Sequence, residues 1–178
     1  MSSQFKRTRH GVTMTLDEVD GRILRHIFDE MLELLGPEEA AASDPLAAAL
    51  GIGTATAAPE DTALARLFPD GYTDDAEASA DFRRYTEPGL RDGKREAART
   101  ARATIGEPGE KRVLSAEESE AWLRALNDTR LVLGERLGIT EDWDALVESL
   151  SDEDPRLPLF YVYDRLTFLQ ETLVRSLW

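Results

Sequence analysis

Residues 115–137, SAEESEAWLRALNDTRLVLGERL, constrain the fold of this chain more than any other stretch. Ser115 and Glu118 form an S-x-x-E capping box, and Glu117, Glu118 and Glu120 place negative charge at the positive end of a helix dipole. At about 100° per residue, Trp122, Leu126, Leu133 and Leu137 share one face, while Leu131 and Val132 fall on opposite flanks. A helix that is apolar on several sides has to be covered on several sides, so the other segments are expected to pack around this one. Arg130 projects close to the apolar centre, where an unpaired guanidinium is costly. A carboxylate from another segment is therefore predicted to meet it, with Asp20 and Asp164 as candidates. Asn127 and Asp128 are excess polar positions of the same helix and need neighbours wherever they are buried.

Residues 5–15, FKRTRHGVTMT, put β-compatible runs on either side of His10-Gly11 and predict a hairpin, with Val12 and Met14 inward on the return strand. A two-stranded ribbon is marginal alone; KRVL at 111–114 is available as a third strand leading straight into the central helix. The first helix is expected to open at a Thr15–Glu18 capping box. Its core face would carry Leu16, Ile23, Ile27, Met31 and Leu34, and Gly36-Pro37 would stop it. Residues 36–61 are rich in alanine and interrupted by prolines, which reads as a long flexible loop holding one short helix near Leu46 to Leu50. A short helical piece follows at 63–72. Asp74 with Glu77 then caps a segment anchored by Phe82, and Pro88-Gly89 is expected to break or bend it before a further helix from Leu90. After a short acidic helix opened by Thr140, the last helix runs over 158–177. Leu159, Val162, Leu166, Leu169, Leu173 and Leu177 lie on one side and Phe160, Tyr161 and Phe168 on the other. Core burial is the plainer reading of those aromatics; uncovered, they would mark a dimer or partner surface. The architecture that follows is α+β but predominantly α: one domain over 1–178, a helical bundle with a small N-terminal β-hairpin extended by a third strand.

The chain contains no cysteine, which excludes disulfides, thiol nucleophiles, iron–sulfur clusters and cysteine zinc sites. Of its two histidines, His26 precedes Glu30 by one helical turn, but no metal motif is completed. Gly51-x-Gly53 completes no phosphate loop, and Asp70, Asp74 and Asp75 fail as a calcium loop because Tyr72 takes the third position. No catalytic residue, metal or cofactor is assigned, and a non-enzymatic role is expected. A formal net charge of -14 argues against a surface that embraces nucleic acid, since phosphate neutralisation needs Lys and Arg at the contact. With no run of roughly 18 apolar residues and no basic leader running into an apolar stretch, no membrane association and a cytoplasmic location are expected.

The strongest interaction candidate is a basic stripe of Arg91, Arg95, Arg99 and Arg102 at helical spacing, joined by Arg83 and Arg84. It suits an acidic protein partner. The plainer reading pairs it with acidic parts of the same chain, of which residues 139–154 carry seven acidic side chains and no basic one. A DNA-associated regulator using Lys6, Arg7 and Arg9 of the hairpin, and a structural homodimer, are the alternatives.

The run AWLRALNDTRLVLGERLG at 121–138 also resembles a family of actinobacterial proteins, the domain of unknown function numbered two thousand and seventeen. The resemblance extends to Phe82-Arg83-Arg84 and to Val162-Tyr163-Asp164 through Leu169, with matching hydrophobic spacing outside 36–61. It implies a mainly helical fold and no particular reaction. Family genes often lie beside those of a Clp protease adaptor and a zinc metalloprotease, and some members are labelled transcriptional regulators. A regulatory or adaptor-like interaction protein, linked to Clp-type proteolysis by that resemblance alone, is the resulting expectation.

Overall fold

The expected hairpin forms with β1 (Gln4–Thr8) antiparallel to β2 (Gly11–Thr15), in a register that sets Phe5 opposite Met14 and Arg7 opposite Val12. Gly11, at φ 114°, takes a backbone conformation that a side chain would strain, so the turn depends on glycine there. The third strand, β3 (Lys111–Leu114), joins the free edge of β2 with Leu114 opposite Val12, giving the order β1-β2-β3. Strand alternation puts Phe5, Val12, Met14 and Leu114 on one face, and all four are buried. This computed structural model describes residues 3–36, 52–141, 143–151 and 153–178, with the side chain of residue 144 left out. The short helix expected near Leu46 to Leu50 lies outside the described residues.

The first helix, α1 (Glu18–Leu35), starts later than the Thr15–Glu18 box would place it. Asp17 is the N-cap: its carboxylate accepts the Asp20 N–H at 2.9 Å, while its own N–H donates to Ser3 Oγ at 2.8 Å. Leu24, Phe28, Met31 and Leu35 form the buried stripe of α1. Of the residues expected there, Ile23, Ile27 and Leu34 are only half-buried.

After α2 (Thr62–Leu67) comes α3 (Ala76–Ala103), a single helix of 28 residues that runs straight through Pro88, where a break was expected. Its N-cap is Asp75, not Asp74. Proline has no N–H to give the carbonyl four residues earlier; here the Gly53 N–H donates to that Arg84 carbonyl at 2.8 Å. A Cβ at Gly53 would lie 2.7 Å from the Pro88 ring, so only glycine brings the backbone this close.

The central helix α4 (Ala116–Leu137) carries the full capping box between Ser115 and Glu118. α5 (Trp143–Ser149) and α6 (Leu157–Leu177) complete the chain. α4 packs along α3 and α6, and α1 along α3. Trp122 lies at the centre: it meets Phe5 and Phe28 edge to face, each at 5.4 Å between ring centres, and its indole N–H donates to Thr104 Oγ1 at 2.7 Å. On α6, Phe160, Leu166, Leu169 and Leu173 are buried, whereas Leu159, Tyr161 and Phe168 are exposed. Among the described residues no helix is long and apolar enough to cross a membrane.

Candidate functional site

The arginines of α3 were expected to share one basic surface, and the structure divides them. Arg83 is 4% exposed; it donates to Glu87 Oε2 and Asp70 Oδ1, each at 2.7 Å, and to the Phe68 carbonyl at 3.1 Å. Glu87, also buried, accepts Arg91 through its other oxygen at 2.6 Å. Arg91 in turn donates to the Leu35 carbonyl at 2.7 Å and stacks over the Phe68 ring at 4.6 Å. Arg95, 2% exposed, donates to the Gly36 carbonyl at 3.1 Å and to Asp92 at 2.6 Å. α1 has no basic residue in its last turn, and its end carbonyls are met instead by these two side chains from α3. Arg102 pairs with Asp29 at 2.8 Å, Arg84 lies 3.7 Å from Asp81, and Arg99 is exposed. Arg83, Arg91 and Arg95 therefore face acceptors inside the fold, and Arg84, Arg99 and Arg102 are the part of the stripe at the surface.

The electrostatics follow that division. Burial presses on the Arg83 guanidinium, but its bonds to Glu87 and Asp70 outweigh it and its pKa is raised; the Arg83 hydrogen bond holds the Asp70 carboxyl below its ordinary value. Asp29 is likewise lowered by its bond from Arg102. Lys94, which faces the same Phe68 ring as Arg91, donates to Asp128 at 2.7 Å. Asp128 thus ties α4 to α3, while Asn127 is exposed.

The carboxylate predicted for Arg130 is not what meets it. Its guanidinium donates to Thr167 Oγ1 at 3.0 Å, Gln170 Oε1 at 2.9 Å and Tyr163 Oη at 3.4 Å, and lies 5.3 Å from the Tyr163 ring centre. Arg130 is only half-buried, so solvent removes the need for a counter-charge. Asp20 pairs with Arg165 instead, at 2.6 Å, and Asp164 is exposed.

The half-buried residues of α1 have a place of their own. Ile23, Ile27 and Leu34 wall an open groove of about 250 Å³ together with Leu133 of α4 and Leu159 and Val162 of α6. His26, Glu30 and Arg136 stand at its edge. Sequence periodicity identified these α1 residues as apolar but gave no sign that they would remain open to solvent. His26 completes no ligand set: among the described residues no three potential ligands gather for a metal. On the hairpin, Lys6, Arg7 and Arg9 are exposed, and Arg7 donates to the Trp178 carbonyl at 3.1 Å.

The family described as Domain of unknown function (DUF2017) matches residues 2–177. Proteins named oxidative stress regulator AosR in Mycobacterium tuberculosis and Mycobacterium bovis, and putative oxidative stress regulator AosR in Mycobacterium leprae, are each 34% identical to this chain. The alignments cover 87% of this chain and 77% of each relative. No solved structure matches.

Proposed function

Since this chain belongs to the DUF2017 family, we propose that it is a non-enzymatic regulatory protein that docks a protein partner, in the oxidative-stress regulation for which its mycobacterial relatives are named. The observation that carries this reading is the groove between α1, α4 and α6. Its volume of about 250 Å³ lies at the small end of the roughly 300–1,000 Å³ typical of small-molecule pockets. That size suits one or two anchoring side chains of an amphipathic helix laid into it. Apolar walls with a polar rim of His26, Glu30 and Arg136 are the anatomy of a protein interface.

The absence of cysteine bears on how such a regulator would work. Oxidant sensing by a thiol cannot occur in this chain, and Met14 and Met31 are 2% and 4% exposed, shielded from oxidation. A response to oxidative stress would then reach this protein through its partner.

Crosslinked affinity capture from the host at near-physiological salt, read by mass spectrometry, tests the proposal with two variants. Leu159→Glu puts a charge at the groove edge on a residue already 46% exposed, and Arg99→Glu reverses an exposed position of the stripe. A defined partner lost with Leu159→Glu and kept with Arg99→Glu supports the groove. The reverse pattern returns the docking surface to Arg84, Arg99 and Arg102, and recovery of a Clp adaptor would extend the family link to this chain.

A further inference from the structure

A second surface lies along α3 and the loop before it, where Tyr72, Phe82, Tyr85 and Leu90 are 53%, 42%, 62% and 50% exposed. The patch is held in shape. Tyr72 and Phe82 meet edge to face at 6.2 Å, and Phe82 lies against Gly71, where a Cβ would come within 2.6 Å of the ring. Phe82 and Leu90 also wall a small crevice of about 20 Å³ that reaches Ser79 and Thr86. The Ser79 hydroxyl is buried, at 7% exposed, and makes no full hydrogen bond, although it stands near enough to Asp70 to help lower that carboxyl. A buried hydroxyl left in this way is open to a donor or acceptor entering the crevice.

The exposed charge around the patch is mostly negative. Asp74, Asp75, Glu77 and Asp81 are exposed on this part of the chain, and the nearby cation Arg84 lies 3.7 Å from Asp81. Aromatic faces attract guanidinium groups, and clustered carboxylates steer cations toward them. The same charge repels nucleic acid.

We propose that this face binds a basic, arginine-bearing helical segment of a partner protein. Its arginines stack on Phe82 and Tyr85 between the carboxylates, and a single donor or acceptor atom of the segment reaches Ser79 at the crevice, which has room for about one water. The surface is separate from the groove, so either assignment stands without the other.

The test is fluorescence anisotropy of a labelled synthetic amphipathic helix of arginine and leucine, titrated with the full chain at about 0.15 M salt. A matched helix with glutamate in place of arginine is the control. The arginine helix binds and the glutamate helix does not; Tyr85→Ala weakens binding about tenfold, with the circular dichroism unchanged because Tyr85 is largely exposed. Phe82→Ala acts in the same direction, whereas Tyr161→Ala, which removes an exposed aromatic on α6, and Leu159→Glu in the groove leave it unaltered. Equal binding by wild type and Tyr85→Ala would reduce the effect to general attraction by an acidic protein and overturn the proposal. Loss in Leu159→Glu alone would overturn it as well. So would a mass that doubles with concentration and reverts in Tyr85→Ala, since the patch would then hold a second copy of this chain.

Discussion

Around Trp122 the helices and the sheet meet through apolar and aromatic surface, with Phe5 from β1, Phe28 from α1 and Leu169 and Leu173 from α6 in one buried cluster. Along the middle of α3 the meeting with α1 is made by arginines: Arg91 and Arg95 reach the carbonyls of Leu35 and Gly36, and Glu87 lies between Arg83 and Arg91. Apolar burial is non-directional and roughly proportional to area, so the first contact tolerates small shifts of its members. Charge-assisted hydrogen bonds have direction, and each group buried with them depends on its partner remaining present. The two contacts can therefore hold helices equally close while differing in what damages them. In the last two turns of α3, Ala97, Ala98 and Ala101 return to small apolar packing, and the change of material takes place within one helix.

The largest expected effect is Trp122→Ala, at about 3–5 kcal/mol, from the cavity and the lost indole hydrogen bond to Thr104. It would appear in urea unfolding as a lower midpoint at unchanged slope. Trp122→Phe keeps a ring against Phe5 and Phe28 and should cost less than half as much; a near-zero cost for Trp122→Ala would show that this core refills its own cavities. Next comes Glu87→Ala, at about 2–3 kcal/mol, because it takes a charged partner from two guanidinium groups, leaving Arg83 with Asp70 and the Phe68 carbonyl and Arg91 with the Leu35 carbonyl. Replacing Arg83 by Met and Glu87 by Leu together should cost clearly less than Glu87→Ala alone. If the double change costs the sum of the singles, the network adds net stability and the contrast with the Trp122 core weakens.

Gly53→Ala should cost about 1–3 kcal/mol by forcing the backbone away from Pro88. Hydrogen exchange would locate the loss at the Gly53 amide, with the unfolding of the Trp122 core left cooperative. The smallest effect is in acid. Asp17, at the core end of α1, is held below its ordinary value of 3.8 chiefly by the Asp20 N–H, and Asp70, on the α3 side, by Arg83. A carboxyl lowered by folding contributes stability that is fully present above the unfolded value and is lost as pH falls through the folded one. Stability should accordingly be level from neutrality to about pH 4 and fall below it. Asp17→Asn keeps a capping acceptor while removing the charge; comparing it with Asp70→Asn identifies which region is the more acid-sensitive, by whichever variant flattens the fall more.

Features with local causes were legible in the sequence. The Ser115 and Glu118 box and the Gly11 turn each depend on residues a few positions apart, and each is present; the third strand was readable as a β-compatible run although it pairs with a strand far away in the sequence. Apart from the N-caps at Asp17 and Asp75, each displaced by one or two positions, the failures have a cause of the opposite kind. Pro88 does not end α3 because its missing bond is replaced by Gly53, thirty-five positions away. The arginine spacing was readable but its targets were not, since the carbonyls of Leu35 and Gly36 become acceptors only where α1 happens to end. On α1 the apolar set is wide enough to serve two faces, so periodicity alone could not separate the core stripe of Leu24 and Phe28 from the groove residues Ile23 and Ile27. The aromatics of α6 split in the same way, with Phe160 inside and Tyr161 outside.

The proline in α3 also works as an address. Gly36 is fastened to the helix at Arg95 and Gly53 at Arg84, positions eleven residues apart and so about 16 Å along the axis. Seventeen residues of chain could reach roughly 56 Å. The two fastenings therefore do not depend on the length of what joins them. Homologues could lengthen or shorten that stretch, and the chain would still return to the same carbonyl and enter α2 in the same register.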